Sequence, residues 1–434
     1  MSDDGEDTQS MPEFHPLSDR ERRVVDAVDM DALLDTLSEL IAFQSLGGHE
    51  GPIQAHMASL MAAMGFDVDR WEIPLDEIRR HPAYSADIER DQALGVVGRW
   101  GKGDGPTLVL NGHVDVVPAG EMDLWSVPPW EMTIADNRVY GRGSVDMKGG
   151  LSCALAAIRA LREADIELAG EIMIHSVVGE EDGGVGTLAT IERGHGGDAA
   201  IVLEPTELMV APAQAGALNF RLTVPGKAAH GALRGEGVSP FDTYLPLYQA
   251  MREFESERNR RRTDPLFADY AIPFALCVGR VWSGVWASTV AESLTCEGRV
   301  GVAPSEDPAD VRQAFANVID QAAEHDPWLR DHPPRLEWWG AQFAPASTDP
   351  DHALPQTLIN AHRDVTGQAP VIRGMPYGAD MRLLVNQGGM PTVIYGPGDV
   401  RQAHAPDEYV PIADLETATR TLALSLLRFC GTAA

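Results

Sequence analysis

Apolar positions along this chain follow two periods, and the switches between them mark its elements. From Val24 to Ile41 the apolar residues Val24, Val25, Val28, Leu33, Leu34, Leu37, Leu40 and Ile41 recur at helical spacing. Residues 52–64 predict a second helix, closed by Gly65 just past its end. Residues 66–71 alternate as a strand does. Short apolar runs at 94–100, 107–111, 171–178 and 199–203 read as buried strands, and 147–161 and 185–191 as helices between them. Strands alternating with helices predict an α/β fold, a mostly parallel sheet flanked by helices.

Near Ala213 the pattern changes. Residues 216–225 (GALNFRLTVP) alternate apolar and polar, as in a strand with one solvated face. Helical periods follow at 244–258 and 308–324, with strand-like runs at 274–281 and 293–302. Two helices on an antiparallel sheet form a smaller α+β domain. After Trp339 the first pattern resumes, with helices at 354–365 and 380–388 and a strand at 391–395. The expected organisation is an acidic, disordered tail over 1–22, a main domain in two pieces (23–212 and 340–434), and an inserted domain over 213–339.

The length of 434 residues agrees with a split, since one core rarely grows past about 250–300 residues. No apolar run approaches the roughly 20 residues of a membrane span. The charge is unusual: 65 acidic against 34 basic residues, a formal −31. Such a balance disfavours nucleic acid and anionic membrane as partners. Lysine occurs only at 102, 148 and 227, the other basic residues being arginine. Arginine-preferring codons and a salt-adapted surface both account for this. The cysteines, Cys153, Cys277, Cys296 and Cys430, form no C-x-x-C pair, and the acidic N-terminus lacks the apolar core of a secretory signal. The expected compartment is the cytoplasm.

There is no Walker loop, no G-x-G-x-x-G, no G-x-S-x-G and no H-E-x-x-H. What remains is a series of histidines and acids where apolar strands end. The strand at 107–111 runs into His113 and Asp115, which share a face in extended backbone. Asp146 follows Gly141 and Gly143 at the start of a helix. The strand at 171–178 ends in Glu180-Glu181-Asp182, three adjacent acids that a dication would reconcile. The next strand ends at Glu204, and His404 follows Gly396-Pro397-Gly398. Each has an ordinary alternative: a surface His-x-Asp, a helix cap, a solvated turn. Together, two histidines (His113, His404) and three carboxylates (Asp146, Glu181, Glu204) match a site for two zinc ions with one carboxylate shared. Glu180 is the extra acid, free to act on water.

The motifs LVLNGHVDVVP (108–118), YGRGSVDMKGGL (140–151), VVGEEDGGVGT (177–187), VLEPT (202–206), GKAAHG (226–231), YGADMRLL (377–384) and YGPGDVRQAHAPDEYV (395–410) carry a resemblance. The chain resembles the di-zinc amidohydrolases and exopeptidases that include acetylornithine deacetylase, succinyl-diaminopimelate desuccinylase, aminoacylase and carboxypeptidase G. The resemblance implies that His113 and Glu204 bind one zinc, Glu181 and His404 the other, and Asp146 both. Co²⁺ is expected to substitute. It further implies that Asp115 supports His113, that Glu180 is the general base, and that Arg299 and Arg382 contact a substrate carboxylate. His230, in an inserted domain that dimerises in relatives, would polarise the substrate carbonyl, reaching a partner subunit's site in dimeric members. Where many members carry Asn-Val-x-Pro, this chain has Ser288-Thr289-Val290-Ala291. The expected activity is hydrolysis of a small N-acyl amino acid by a homodimer. A dipeptidase or carboxypeptidase is the alternative within the family, and a non-catalytic metal-binding homologue the alternative outside it.

Overall fold

The computed structural model describes residues 16–101, 103–261 and 264–433. A six-stranded sheet organises the larger part of the chain. Its order is Asp67–Glu72, Leu94–Trp100, Glu171–Val177, Thr107–His113, Ala199–Val202, Thr392–Ile394. The last four strands are parallel to one another; Leu94–Trp100 runs antiparallel to them, and Asp67–Glu72 pairs antiparallel with it at the edge. The central strands are buried throughout apart from their first residues, as continuous apolar runs require. The helices Gly149–Glu163 and Ile412–Cys430 pack on each other and on the central strands, and Gly51–Ala63 and Val185–Glu192 pack on their neighbours.

Close packing here depends on small residues. A side chain at Gly150 would lie 2.2 Å from the Leu203 carbonyl oxygen, so glycine lets the helix rest against the strand end that precedes Glu204. The chain leaves each of the four parallel strands at its carboxyl end on the same edge of the sheet, where open α/β sheets bind ligands.

A second sheet is wholly antiparallel, in the order Leu276–Ser283, Ser293–Val302, Gly216–Pro225, Arg335–Phe343. The helices Pro240–Arg261 and Pro308–Glu324 cover one face, closing a separate core around Phe220, Leu222, Leu247, Met251, Phe315 and Ile319. Asp307 caps the second helix by accepting from the Ala309 amide, with Pro308 in the first turn. The strand Arg335–Phe343 runs past 339, where the inserted segment was expected to end, and pairs with Gly216–Pro225.

At the N-terminus, most of the expected disordered tail lies outside the described residues. The helix Asp19–Asp26 begins within its last part, because Ser18 and Glu21 form a reciprocal capping box that satisfies the first free amides. No described helix is long and apolar enough to cross a membrane.

One segment touches both sheets. Asp87 accepts from the Ala341 amide (2.7 Å) and Ser85 Oγ from the Gln342 amide (3.1 Å) on the antiparallel side. On the other side the Asp182 carbonyl accepts from the Asp87 amide, and the Asp182 carboxylate from the Ile88 amide (3.1 Å) and Arg90 (2.5 Å). Arg90 also donates to Glu50 at 2.8 Å, so a buried guanidinium neutralises two buried carboxylates.

Candidate active site

His113, Asp146, Glu181, Glu204 and His404 meet at the carboxyl edge of the parallel strands. His113 closes the strand Thr107–His113 and is fully buried. Its Nε2 lies 3.0 Å from Asp146 Oδ1 and 3.5 Å from Glu204 Oε1. His404 Nε2 lies 3.3 Å from Asp146 Oδ2 and 3.0 Å from Glu181 Oε2. The two oxygens of Asp146 therefore face different histidines. Two groups result, His113–Asp146–Glu204 and Asp146–Glu181–His404, each with its ligand atoms within 4.8 Å of one another and Asp146 in both.

Local backbone geometry sets these positions. Asp146 and Met147 depart from helical dihedrals inside the turn Ser144–Lys148, and the peptide between them is cis. His404 adopts a left-handed φ of +59°, a conformation few residues other than glycine and asparagine take. Gly179 (φ +70°) and Gly183 (φ +137°) bracket the acidic turn; a side chain at Gly183 would meet the Ser85 carbonyl oxygen at 2.0 Å.

The three adjacent acids point to three environments. Glu181 faces His404. Asp182 is bound to Arg90 and the Ile88 amide. Glu180 is 7% exposed and its Oε1 has no hydrogen-bond partner.

The electrostatics suit a cationic guest. Burial, followed by the Glu204 charge, raises the Glu180 carboxyl well above the usual range. Burial and then Asp146 push Glu181 up to about 7 and Glu204 up to about 8. His404, hydrogen-bonded to Asp146 and Glu181, is raised to about 10. Burial opposes the charged form of His113, but the Glu204 and Asp146 carboxylates outweigh it. For Asp146 burial is likewise outweighed, by His113 and His404, and its carboxyl lies well below the usual range. Burial and mutual repulsion that raise carboxyls beside raised imidazoles are a conflict that a dication would reconcile. The donor types, imidazole nitrogen and carboxylate oxygen, fit a pair of borderline divalent ions.

Asp115 was expected to support His113, orienting it or its neighbours. Its backbone carbonyl takes the His113 Nδ1 contact at 2.9 Å, and its carboxylate Oδ2 accepts the Glu181 amide at 3.1 Å. The chain turns after His113, bringing the carbonyl closer than Oδ1, which stays at 3.7 Å. Arg382 was expected on a substrate carboxylate. It is buried, donates to the Gly183 carbonyl at 2.6 Å and lies over the Phe343 ring, so it props the acidic turn. Arg299, on the strand Ser293–Val302, has a buried Nε without a partner and makes no ion pair among the described residues.

His230 stands apart from the five. It is exposed, on the short strand Ala229–His230 paired with Thr289–Val290, and its Nδ1 accepts from the Ala232 amide at 3.1 Å. A neutral imidazole accepting at Nδ1 carries its proton on Nε2.

Sequence reasoning gave no role to Glu408, Arg142 or Asp380. Asp380 accepts from Thr187 Oγ1, which also takes a bond from Asn111. Glu408 lies inside a motif quoted above, four residues after His404, and its closeness to that histidine was the signal available.

Residues 109–428 match the family described as Peptidase family M20/M25/M40. The N-formyl-4-amino-5-aminomethyl-2-methylpyrimidine deformylase of Bacillus subtilis is 27% identical over 423 residues, covering 92% of this chain and 95% of that protein. A probable succinyl-diaminopimelate desuccinylase of Staphylococcus aureus is 27% identical, covering 77% of this chain and 87% of its own length. Among solved structures, a dinuclear metal-binding peptidase of Bacillus subtilis superposes with a TM-score of 0.60 at 15% identity, covering 92% of this chain and 98% of that one.

Proposed function

Since this chain belongs to peptidase family M20/M25/M40, we propose that it hydrolyses the amide bond of small N-acyl compounds, N-acyl amino acids foremost, with two zinc ions bound. His113 and Glu204 would hold one ion, Glu181 and His404 the other, and Asp146 both. The observation that carries this reading is the shared carboxylate, Asp146, with one oxygen toward each histidine. The deformylase and desuccinylase relatives support an N-acyl substrate.

Bound metal supplies Lewis acidity and lowers the pKa of a coordinated water. The protein's own groups do the rest. Glu180, with a free Oε1 in a nearly dry pocket, takes the proton of the attacking water. It then delivers that proton to the leaving nitrogen, base and acid in turn. Asp115 fixes the backbone of Glu181 and thereby the position of its neighbour.

The developing oxyanion needs a donor aimed at it. His230 has the right tautomer, with Nε2–H free, but is bonded to none of the five clustered residues. The reading therefore includes a homodimer in which His230 serves the partner's site. Two features support such an assembly. The strand Leu276–Ser283 is an open sheet edge. On the adjacent helix Pro240–Arg261, Phe241, Leu245 and Tyr248 are exposed at a spacing that places them on one face.

The test is a hydrolysis screen of N-formyl, N-acetyl and N-succinyl amino acids against dipeptides, after metal removal and after Zn²⁺ or Co²⁺ is restored. Turnover of the acyl compounds that vanishes without metal is expected. Full turnover by metal-free protein would overturn the reading, and turnover of dipeptides alone would shift it to a peptidase.

A further inference from the structure

Glu408 is buried, and its contacts run to one place. Its Oε1 accepts the backbone amides of Val145 (3.0 Å) and Asp146 (3.2 Å). Its Oε2 takes Arg142 Nη1 at 2.5 Å, and Arg142 is as buried as its partner. The Glu408 main chain is tied to the same turn. Its carbonyl accepts the Gly141 amide at 3.0 Å and Ser144 Oγ at 3.4 Å. The next residues, Tyr409–Pro411, pair with Arg138–Tyr140. The loop that carries His404 and the turn that carries Asp146 are thus joined through one side chain and its backbone.

We propose that Glu408 is a positioning residue that sets the spacing of the metal pair. Its carboxylate fixes the backbone of Asp146, the group both ions share, and its main chain ties that point to the loop bearing His404. Three considerations carry this. The amides of Val145 and Asp146 lie in the first turn of Ser144–Lys148, where neither has a partner within the helix, and buried amides must be satisfied. One carboxylate oxygen satisfies two of them. Arg142 then orients that carboxylate and neutralises it, so that a further negative charge beside the metal ligands is tolerated. Metal ligands hold their geometry through such outer contacts, and their loss elsewhere costs roughly 10–100-fold in metal affinity. The inference rests on the two-metal reading above.

The experiment separates the acceptor role from the ion pair. Two double variants, R142M/E408Q and R142M/E408L, both remove the buried charges. Only the first keeps an oxygen facing the Val145 and Asp146 amides. Each is stripped of metal and titrated with Zn²⁺ against a chromophoric chelator, and with Co²⁺ by visible absorption. Circular dichroism of the metal-free proteins reports folding separately. Expected are two ions in R142M/E408Q with affinities within about threefold of the wild type, and a loss of tenfold or more at both positions in R142M/E408L. Equal, near-wild-type affinities in the two variants overturn the inference. If the leucine variant does not fold, the glutamine variant decides: a tenfold loss there overturns the acceptor role, and retention supports it. A wild-type protein that takes up fewer than two ions overturns the two-metal reading, and this inference with it. Two ions in the wild type with no difference between variants overturns this inference alone.

Discussion

At the scale of single residues, similar side chains acquire different work from their surroundings. Glu180, Glu181 and Asp182 are adjacent acids, yet one is unpartnered, one faces an imidazole and one is bound to Arg90. Glu180→Gln keeps the shape and removes the proton carrier. We expect kcat to fall by about 10²–10⁴ while elemental analysis still finds two metals per chain. Retained turnover would remove Glu180 as the base. Away from the site, His175 lies at the centre of the strand Glu171–Val177, and burial holds its pKa down at about 3. The unfolded chain takes up this proton near pH 6.5 and the folded chain only near 3. The contribution of neutral His175 to stability is therefore complete above about pH 6.5 and is lost as the pH falls through that window. His175→Leu should gain about 2 kcal/mol relative to the wild type between pH 8 and pH 5, measured by urea unfolding. An unchanged difference would mean that His175 is already charged in the fold.

At the scale of elements, what could be read in the chain was whatever kept a simple period. The buried parallel strands are short apolar runs, and polar residues stand at or just past the ends of three of them. His113, the acidic turn and Glu204 could therefore be found from position alone. The strand Arg335–Phe343 was missed because its register shifts between Trp338 and Gln342, which breaks the alternation, and Gly340 sits there with φ +64°. The helix Ile412–Cys430 was missed for another reason. From Thr421 to Leu427 it is buried on every side, so its polar stripe stops halfway, and a stripe is what a helical period detects. Glu408 stands near His404 in the chain, but what it and Arg142 do could not be read, because it lies in amides of a turn that no pattern announces. Placement of the strand Ala229–His230 bears on the next expectation. His230→Ala should lower kcat by about 10²–10³. Mixed with Glu180→Gln chains it should regain activity, because one site of each mixed dimer combines an intact base with an intact donor. Mixtures no more active than either parent would place the histidine outside the partner's chemistry.

At the scale of the molecule, charge and construction pull in different directions. Only a few of the 65 acids lie in the cluster, so the formal −31 belongs mostly to the rest of the chain. An N-acyl amino acid, the substrate proposed above, carries a carboxylate and would approach against that field. Screening over about 8–10 Å weakens the repulsion at ordinary ionic strength. We expect kcat/KM to rise as salt is added from a low starting concentration; a fall would mean that local positive charge dominates capture. The segment between the two sheets has a different consequence. Asp87 and Ser85 grip the bulged strand of the antiparallel sheet, while the Asp182 backbone and carboxylate grip the same segment from the acidic turn. The antiparallel sheet cannot swing away without breaking these bonds or pulling the turn that bears Glu180. Were the antiparallel sheet to move over the cluster, the segment would carry that movement to the turn of Glu180, so that admission of substrate and placement of the base would change together. Asp87→Ala removes one of its bonds. Its signature should be a simultaneous change of at least about threefold in KM and kcat at full metal content, and a change confined to either constant would show the two motions to be independent.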